Sequence, residues 1–458
     1  MQIQQSASSE NYSGSLKGYG YPIRASLIAA LGGLLFGFET AVISGAEKTI
    51  QQLWSLSSGW LGFTVAASLI GTVVGSLIAG IPAQRYGRKK ILSFIAILYL
   101  LSSIGCAVTP VWGLFIFFRF VGGIAVGASS VVGPMYISEI APPKIRGRLA
   151  GSFQINIVAG ILLAFLMNYL LSGIGEDSWR YMLGIMVVPS ALFAILLRTI
   201  PESPRWLLLN NREAEATAIF AKTGEHEAVR VIKEEQANVS LTIKENLFNG
   251  KYNKPILYAV LLAMFNQLSG INAILYYAPR IFEMAGFDKE NSFIQPVYIG
   301  AANLFFTLLA MNFIDKFGRK KLLLIGAAGD IVFLALTAMA FHSEGGGGTS
   351  VIVYLIGFIA FFAFSQGAVI WVFISEIFPN SVRSQGVSLG SFTHWIMAAI
   401  ISWTFPIIVE GSVDGGFYSF IFYSLMMFIS FIFIWRFMPE TKGRTLEEIE
   451  RDLKIKKV

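Results

Sequence analysis

RYGRKK at 85–90 returns as KFGRKK at 316–321. SEIAPPKIRGRL at 138–149 returns as SEIFPNSVRSQG at 375–386, and PESPRWLL at 201–208 returns as PETKGRTL at 439–446. The copies stand 231, 237 and 238 residues apart, about half of the 458-residue chain. Three polar motifs in the same order, each beside an apolar stretch, mark a duplicated unit. In a membrane protein, two like halves enclose a site between them.

Composition places the chain in a bilayer. Hydrophobic residues make up 55% and charged residues 14%, with a mean hydropathy of +0.63. A soluble chain carries nearer a quarter charged residues. About 20 apolar residues cross a bilayer core. Twelve such runs are predicted: 22–45, 60–82, 91–110, 112–137, 149–171, 181–200, 255–283, 295–314, 321–341, 351–378, 385–409 and 417–437. They are continuous rather than alternating, so they are helices and not the strands of a barrel. The expected fold is all-α, with two pseudo-symmetric six-helix halves.

The net charge of +7 is a matter of topology, not of nucleic-acid binding. The 2–3 loop carries Arg85, Arg88, Lys89 and Lys90. The 4–5 loop carries Lys144, Arg146 and Arg148, and the 8–9 loop Lys316, Arg319, Lys320 and Lys321. The alternate loops carry Glu176, Asp177, Asp288, Glu290, Glu344, Glu410 and Asp414. Basic short loops mark the cytoplasmic side, so both termini are expected there. A bacterial inner membrane suits such a protein. The single cysteine, Cys106, allows no intrachain disulfide, and no metal or cofactor is called for.

The polar ends and joints have their own reading. Residues 1–21 form a polar tail without signal-peptide character. The first half runs over 22–200 and the second over 255–438. Between them, 201–254 reads as a small helical linker, with Pro204 in a first turn and Ile219, Phe220, Val229 and Ile232 as apolar positions. The last segment, 439–458, reads as a short amphipathic helix with Thr445 as N-cap and Glu448 three residues on. GGGG at 345–348 reads as a flexible outer loop.

RYGRKK with KFGRKK, PESPRWLL, PETKGRTLEE, QLSGINAILYYAP at 267–279 and RFVGG at 119–123 occur in order. With them the chain resembles the sugar porter family of the major facilitator superfamily over about 22–450. The resemblance implies alternating access, a monosaccharide held at mid-membrane and a functional monomer. It also implies inner ion-pair networks of Arg88, Glu139, Arg146 and Glu202, and of Arg319, Glu376, Arg383 and Glu440. These would hold the halves together while the outer side is open. The rival reading is that these charges only set topology. Gln84 departs from an Asp common in the superfamily, which the second copy keeps as Asp315.

A sugar needs groups that both donate and accept, and an aromatic face for its C–H surface. The family's amide positions fall on Gln154, Gln267, Asn272 and Asn303, and its aromatic position on Trp371. Phe36, Phe362 and Trp395 are further walls. Tyr276 and Tyr277 lie in span 7, where Gly270 and Pro279 permit bending near the substrate, and the resemblance makes Tyr277 a further expected contact of the sugar. Two positions depart: His394 stands where relatives have an amide, and Asn266–Gln267 where many have two glutamines. His394 either substitutes as a neutral hydrogen-bonding group or makes the site respond to pH.

Glu39 in span 1 reads as the only acid in the middle of a span, a costly placement that points to function. Proton-coupled sugar porters carry Asp there, and mammalian facilitative glucose carriers carry Asn. The implied partner is Arg119 in span 4. Sugar–proton symport is the first reading and facilitative uniport, with a structural Glu39–Arg119 pair, the alternative. Met186 stands where a coupled relative has a further Glu. An enzyme is not indicated, because no nucleotide or metal-ligand motif is present. A non-transporting sugar sensor is a further alternative, against which the short tail after Pro439 speaks.

Overall fold

The computed structural model describes residues 19–223, 225, 229, 230, 232, 245–343, 347–444, 448, 449, 451 and 453, with only the backbone at 290, 314 and 315. The readings of 1–18, of most of the linker between 224 and 244, of the Asp315 side chain, of Glu344 and the first two glycines of GGGG, and of the Thr445 cap lie outside these residues.

Twelve helices among the described residues are long and apolar enough to cross a bilayer. They are Gly20–Gly45, Ser58–Ile78, Arg88–Val108, Trp112–Ile140, Arg146–Leu171 and Ser178–Leu197, then Asn253–Tyr276, Asn291–Phe313, Arg319–His342, Thr349–Glu376, Arg383–Gly411 and Gly415–Phe437. Each meets one predicted run; we number them spans 1 to 12. The end of the bundle with the basic loops is called inner here, and the opposite end outer.

Small residues let the helices touch backbone to backbone. A Cβ on Gly37 would lie 1.8 Å from the Ile157 carbonyl oxygen, which closes span 1 onto span 5. One on Gly123 would lie 1.8 Å from the Ser68 oxygen, which closes span 4 onto span 2. Without a hydrophobic drive in lipid, such close packing is what holds helices together. The halves meet along two seams, span 2 against span 11 and span 5 against span 8.

Two spans are broken. Span 7 stops at Leu268 and restarts at Ile271; Gly270 between has φ +82°. Its absent side chain leaves room for the Tyr423 ring of span 12, which a Cβ would meet at 2.3 Å. After Tyr277 a third piece, Ala278–Met284, carries Pro279 in its first turn. Span 10 breaks at Ser365, between Thr349–Phe364 and Gln366–Glu376. In the linker, Ser203 caps a short helix, Pro204–Leu209, by accepting from the Trp206 amide. That helix and Glu213–Thr223 share an apolar cluster of Trp206, Leu207, Ala216 and Phe220, with Ile219, Val229 and Ile232 at its edge.

Candidate functional site

The break in span 7 gathers its amides. Asn272 Nδ2 donates to Gln267 Oε1 at 2.7 Å. Gln267 Nε2 donates to Asn266 Oδ1 at 3.0 Å and to the His394 ring, 3.0 Å from its Nε2. His394 therefore accepts, as a neutral imidazole does. Aromatic rings wall this relay. Trp371 and Trp395 each lie 4.8 Å from the His394 ring, and Phe36 lies 5.5 Å from Trp395. That last contact joins span 1 to span 11, so the cluster sits between the halves. Asn272, Asn303, Phe362 and His394 are each 8% exposed, buried but with an edge open. Gln154 is half-buried in span 5, the span that packs on span 8 where Asn303 lies. Tyr277 is different. Its hydroxyl donates to the Ser402 carbonyl at 2.9 Å, so it buttresses span 11.

Glu39 and Arg119 meet in the first half. Arg119 Nη1 stands 2.5 Å from Glu39 Oε1, and both residues are buried. Gly122 makes the approach possible: a Cβ there would lie 3.0 Å from Glu39 Oε1. Nε and Nη2 of Arg119 have no hydrogen-bond partner. The pair is thus short of acceptors.

The inner motifs build the same device twice. Arg88 donates to both oxygens of Glu139 at 2.8 Å, and Ser203 Oγ adds a bond to the same carboxylate. Glu202 accepts the backbone amides of Arg88 and Lys89, both at 2.9 Å. In the second half Arg319 donates to Glu376 at 2.9 Å and Thr441 replaces Ser203. Glu440 accepts the amides of Arg319 and Lys320 at 2.9 and 3.1 Å. Each acid of the PES and PET motifs therefore caps the N-terminus of a span, where exposed amides and the helix dipole favour an anion. The glycine of each GRK motif makes room. Gly87 has φ +99° and Gly318 φ +87°, and a Cβ would meet the capping carboxylate at 2.2 and 2.7 Å. Arg146 and Arg383 donate instead to the Ala141 and Phe378 carbonyls. These bonded carboxylates each serve their own half.

The outer end is where charges bridge the halves. Arg280, after the span 7 break, donates Nε and Nη2 to Glu47 Oε1 and Oε2 at 2.9 and 2.7 Å. Its Nη1 reaches Glu410 at 2.5 Å and its Nη2 also reaches Gln51 at 2.6 Å. Gln51 and Ser58 donate to Glu410, and Lys48 pairs with Glu283. Burial pushes the Glu47 carboxyl above the ordinary carboxylate range, against the pull of Arg280. The outer face is closed.

A family model described as "Sugar (and other) transporter" matches residues 25–453. The D-xylose-proton symporter of Escherichia coli K12 is 36% identical, over 94% of this chain and 95% of its own. The arabinose-proton symporter of Bacillus subtilis is 37% identical over the same shares. The chain belongs to the sugar porter family of the major facilitator superfamily. This sugar porter is a multi-pass membrane protein. It is similar to the solved inward-open conformation of the xylose transporter XylE, at 36% identity and a TM-score of 0.84, over 94% of this chain and 99% of that one.

Three residues of the porter escaped the sequence reading. Glu47 and Arg280 flank spans 1 and 7 in GAEK and APRIFE; their pairing needs the third dimension. Asp330 corrects the expectation that Glu39 is the only acid in the middle of a span. It is fully buried within span 9, in an apolar run that lies past the basic GRK motif.

Proposed function

We propose that this porter carries a monosaccharide, a pentose or hexose, by alternating access, and couples it to protons through Glu39 and Arg119. The observation that carries the coupling is the buried Glu39–Arg119 pair with two guanidinium nitrogens unpartnered. An ion pair that poorly satisfied is costly to keep buried and easily traded for a protonated acid. The relatives named for xylose–proton and arabinose–proton symport support the same reading. The relay Asn272–Gln267–His394, lined by Trp371 and Trp395, supplies hydroxyl partners and a ring face for the sugar. Asn266, Gln154, Asn303, Phe36 and Phe362 complete its lining, and Tyr277 supports it from span 7 by holding span 11.

Orientation follows the basic loops: both termini lie in the cytoplasm of a bacterial inner membrane. The Arg88–Glu139–Glu202 and Arg319–Glu376–Glu440 clusters brace the inner ends of the two halves, with Arg146 and Arg383 holding the adjoining turns.

A second reading, facilitated uniport, draws on Met186, an apolar group in the middle of span 6 where a coupled relative has an acid. Sugar uptake into proteoliposomes with an imposed pH gradient separates the two. Symport predicts accumulation driven by the gradient and proton entry on adding sugar. Uptake that equilibrates without responding to the gradient is uniport.

A further inference from the structure

Asp330 is a buried acid without a cation. Both of its carboxylate oxygens are buried and have no hydrogen-bond partner. Among the described residues, no charged side chain of the elements packed on span 9 bonds to it. Span 10 approaches with Phe361 and Ser365: a Cβ on Gly329 would meet the Phe361 ring at 2.1 Å, and one on Gly326 the Ser365 hydroxyl at 1.6 Å. Gly326 lies one helical turn before Asp330, on the same face. Span 12 approaches with Ser424, which donates to the Ile331 carbonyl at 2.8 Å, and Met427, which Gln366 Nε2 touches at 3.6 Å. Ser430 follows on that face. The neighbouring titratable group on span 12, Tyr423, lies against Gly270. Two more polar atoms on these spans are buried without partners, Gln366 Oε1 beside the Ser365 break and Ser430 Oγ on span 12. Both accept hydrogen bonds.

A buried carboxylate with no hydrogen-bond donor is costly to keep charged, whereas the neutral acid carries no charge to bury and has an O–H to give. The duplication sharpens the point. Asp330 stands 231 residues after Tyr99, the offset of the GRK motifs, and Gln366 stands 237 after Ser129, the offset of the SEI motifs. Tyr99 is one turn from Ser102, which packs with Glu39 around Gly122. The second half thus carries an acid at the position matching the surroundings of the first half's acid. It also lies beside the Ser365 break of span 10, whose inner piece carries Trp371.

We propose that Asp330 is a second proton-binding site. It holds a proton as the neutral acid while the outer face is closed, and releases it to water when span 10 bends at Ser365 and the pocket hydrates. The proton is taken from and returned to bulk water, and no other group is consumed. The proposal rests on alternating access but not on the role given to Glu39.

Infrared spectroscopy of the full chain in liposomes tests it. Isotope-labelled aspartate shifts only aspartyl bands, so Glu39 does not interfere. The expected result at neutral pH is a label-sensitive C=O band of a protonated acid, absent in Asp330→Asn. In an Arg280→Gln background, which opens the outer face, the band loses at least half its intensity. No label-sensitive band means that Asp330 is ionised and overturns the site. A band of equal intensity in both backgrounds overturns the release. The labelled wild-type chain alone decides the first point if Asp330→Asn does not fold. Loss of sugar transport in any variant leaves these spectra readable, so failure of the transport reading is distinguishable.

Discussion

Arg280 holds Glu47 across the two halves with two parallel hydrogen bonds, 2.9 and 2.7 Å long. A guanidinium and a carboxylate match in this fork geometry, which makes the contact both strong and directional. Arg280→Gln leaves Glu47 buried without its cation, a loss of about 3–5 kcal/mol for a buried pair. The variant is expected to rest with its outer face open. Labelling of a single cysteine placed beside Ser44, with Cys106 replaced by Ser, rises from slow to fast; an unchanged rate sinks the idea.

Glu47 also gives closure a pH dependence. Its carboxyl is raised by burial in the closed state and returns to the ordinary range when water enters. The closed state therefore binds a proton more tightly. Closure is favoured as the outer solution is acidified and weakened as pH rises through the raised value. The same cysteine label reads this as slower reaction in acid, after correction for thiol ionisation. Glu47→Gln is expected to flatten the profile.

Glu39→Gln is neutral at every pH. It is expected to keep sugar exchange between equal pools within a few-fold while abolishing uphill accumulation. A variant that still accumulates sugar against a gradient removes Glu39 from the coupling.

Gln267 is the hub of the proposed sugar-binding relay, touching Asn266, Asn272 and His394. Gln267→Ala is expected to weaken sugar binding by about 10- to 100-fold, the loss of one or two hydrogen bonds at about 1–1.5 kcal/mol each. Isothermal titration with the transported sugar measures it. Wild-type affinity in the variant places the sugar elsewhere.

Gly87→Ala forces a side chain onto φ +99° and into the Glu202 carboxylate. The backbone alone costs about 1–3 kcal/mol. The expected result is a lower Tm, with a smaller drop in a Glu202→Ala background, because the collision is gone there. Equal drops mean that the carboxylate is not what the glycine accommodates.

How much of this was legible follows from what each feature depends on. The twelve spans need only local hydropathy, and each was found. The duplication needs only spacing, since motif copies keep their order, but that Glu202 and Glu440 accept backbone amides is not legible there, where they read as members of ion-pair networks. Why glycine precedes Arg-Lys was not legible, because the carboxylate that fills its place comes from more than a hundred residues away. The Glu47–Arg280 clasp stayed hidden for a similar reason: its partners are 233 residues apart and match no repeat. Asp330 is visible as a letter, but the apolar run around it reads as one block by hydropathy. For Tyr277 the sequence names no partner for the hydroxyl, because which carbonyl lies within reach, here that of Ser402, depends on how spans 7 and 11 pack.

The inner caps each close within one half, while the outer clasp ties both halves together. The two ends are therefore unequal: parting the halves at the inner end breaks none of the cap bonds, whereas parting them at the outer end must first unmake the clasp.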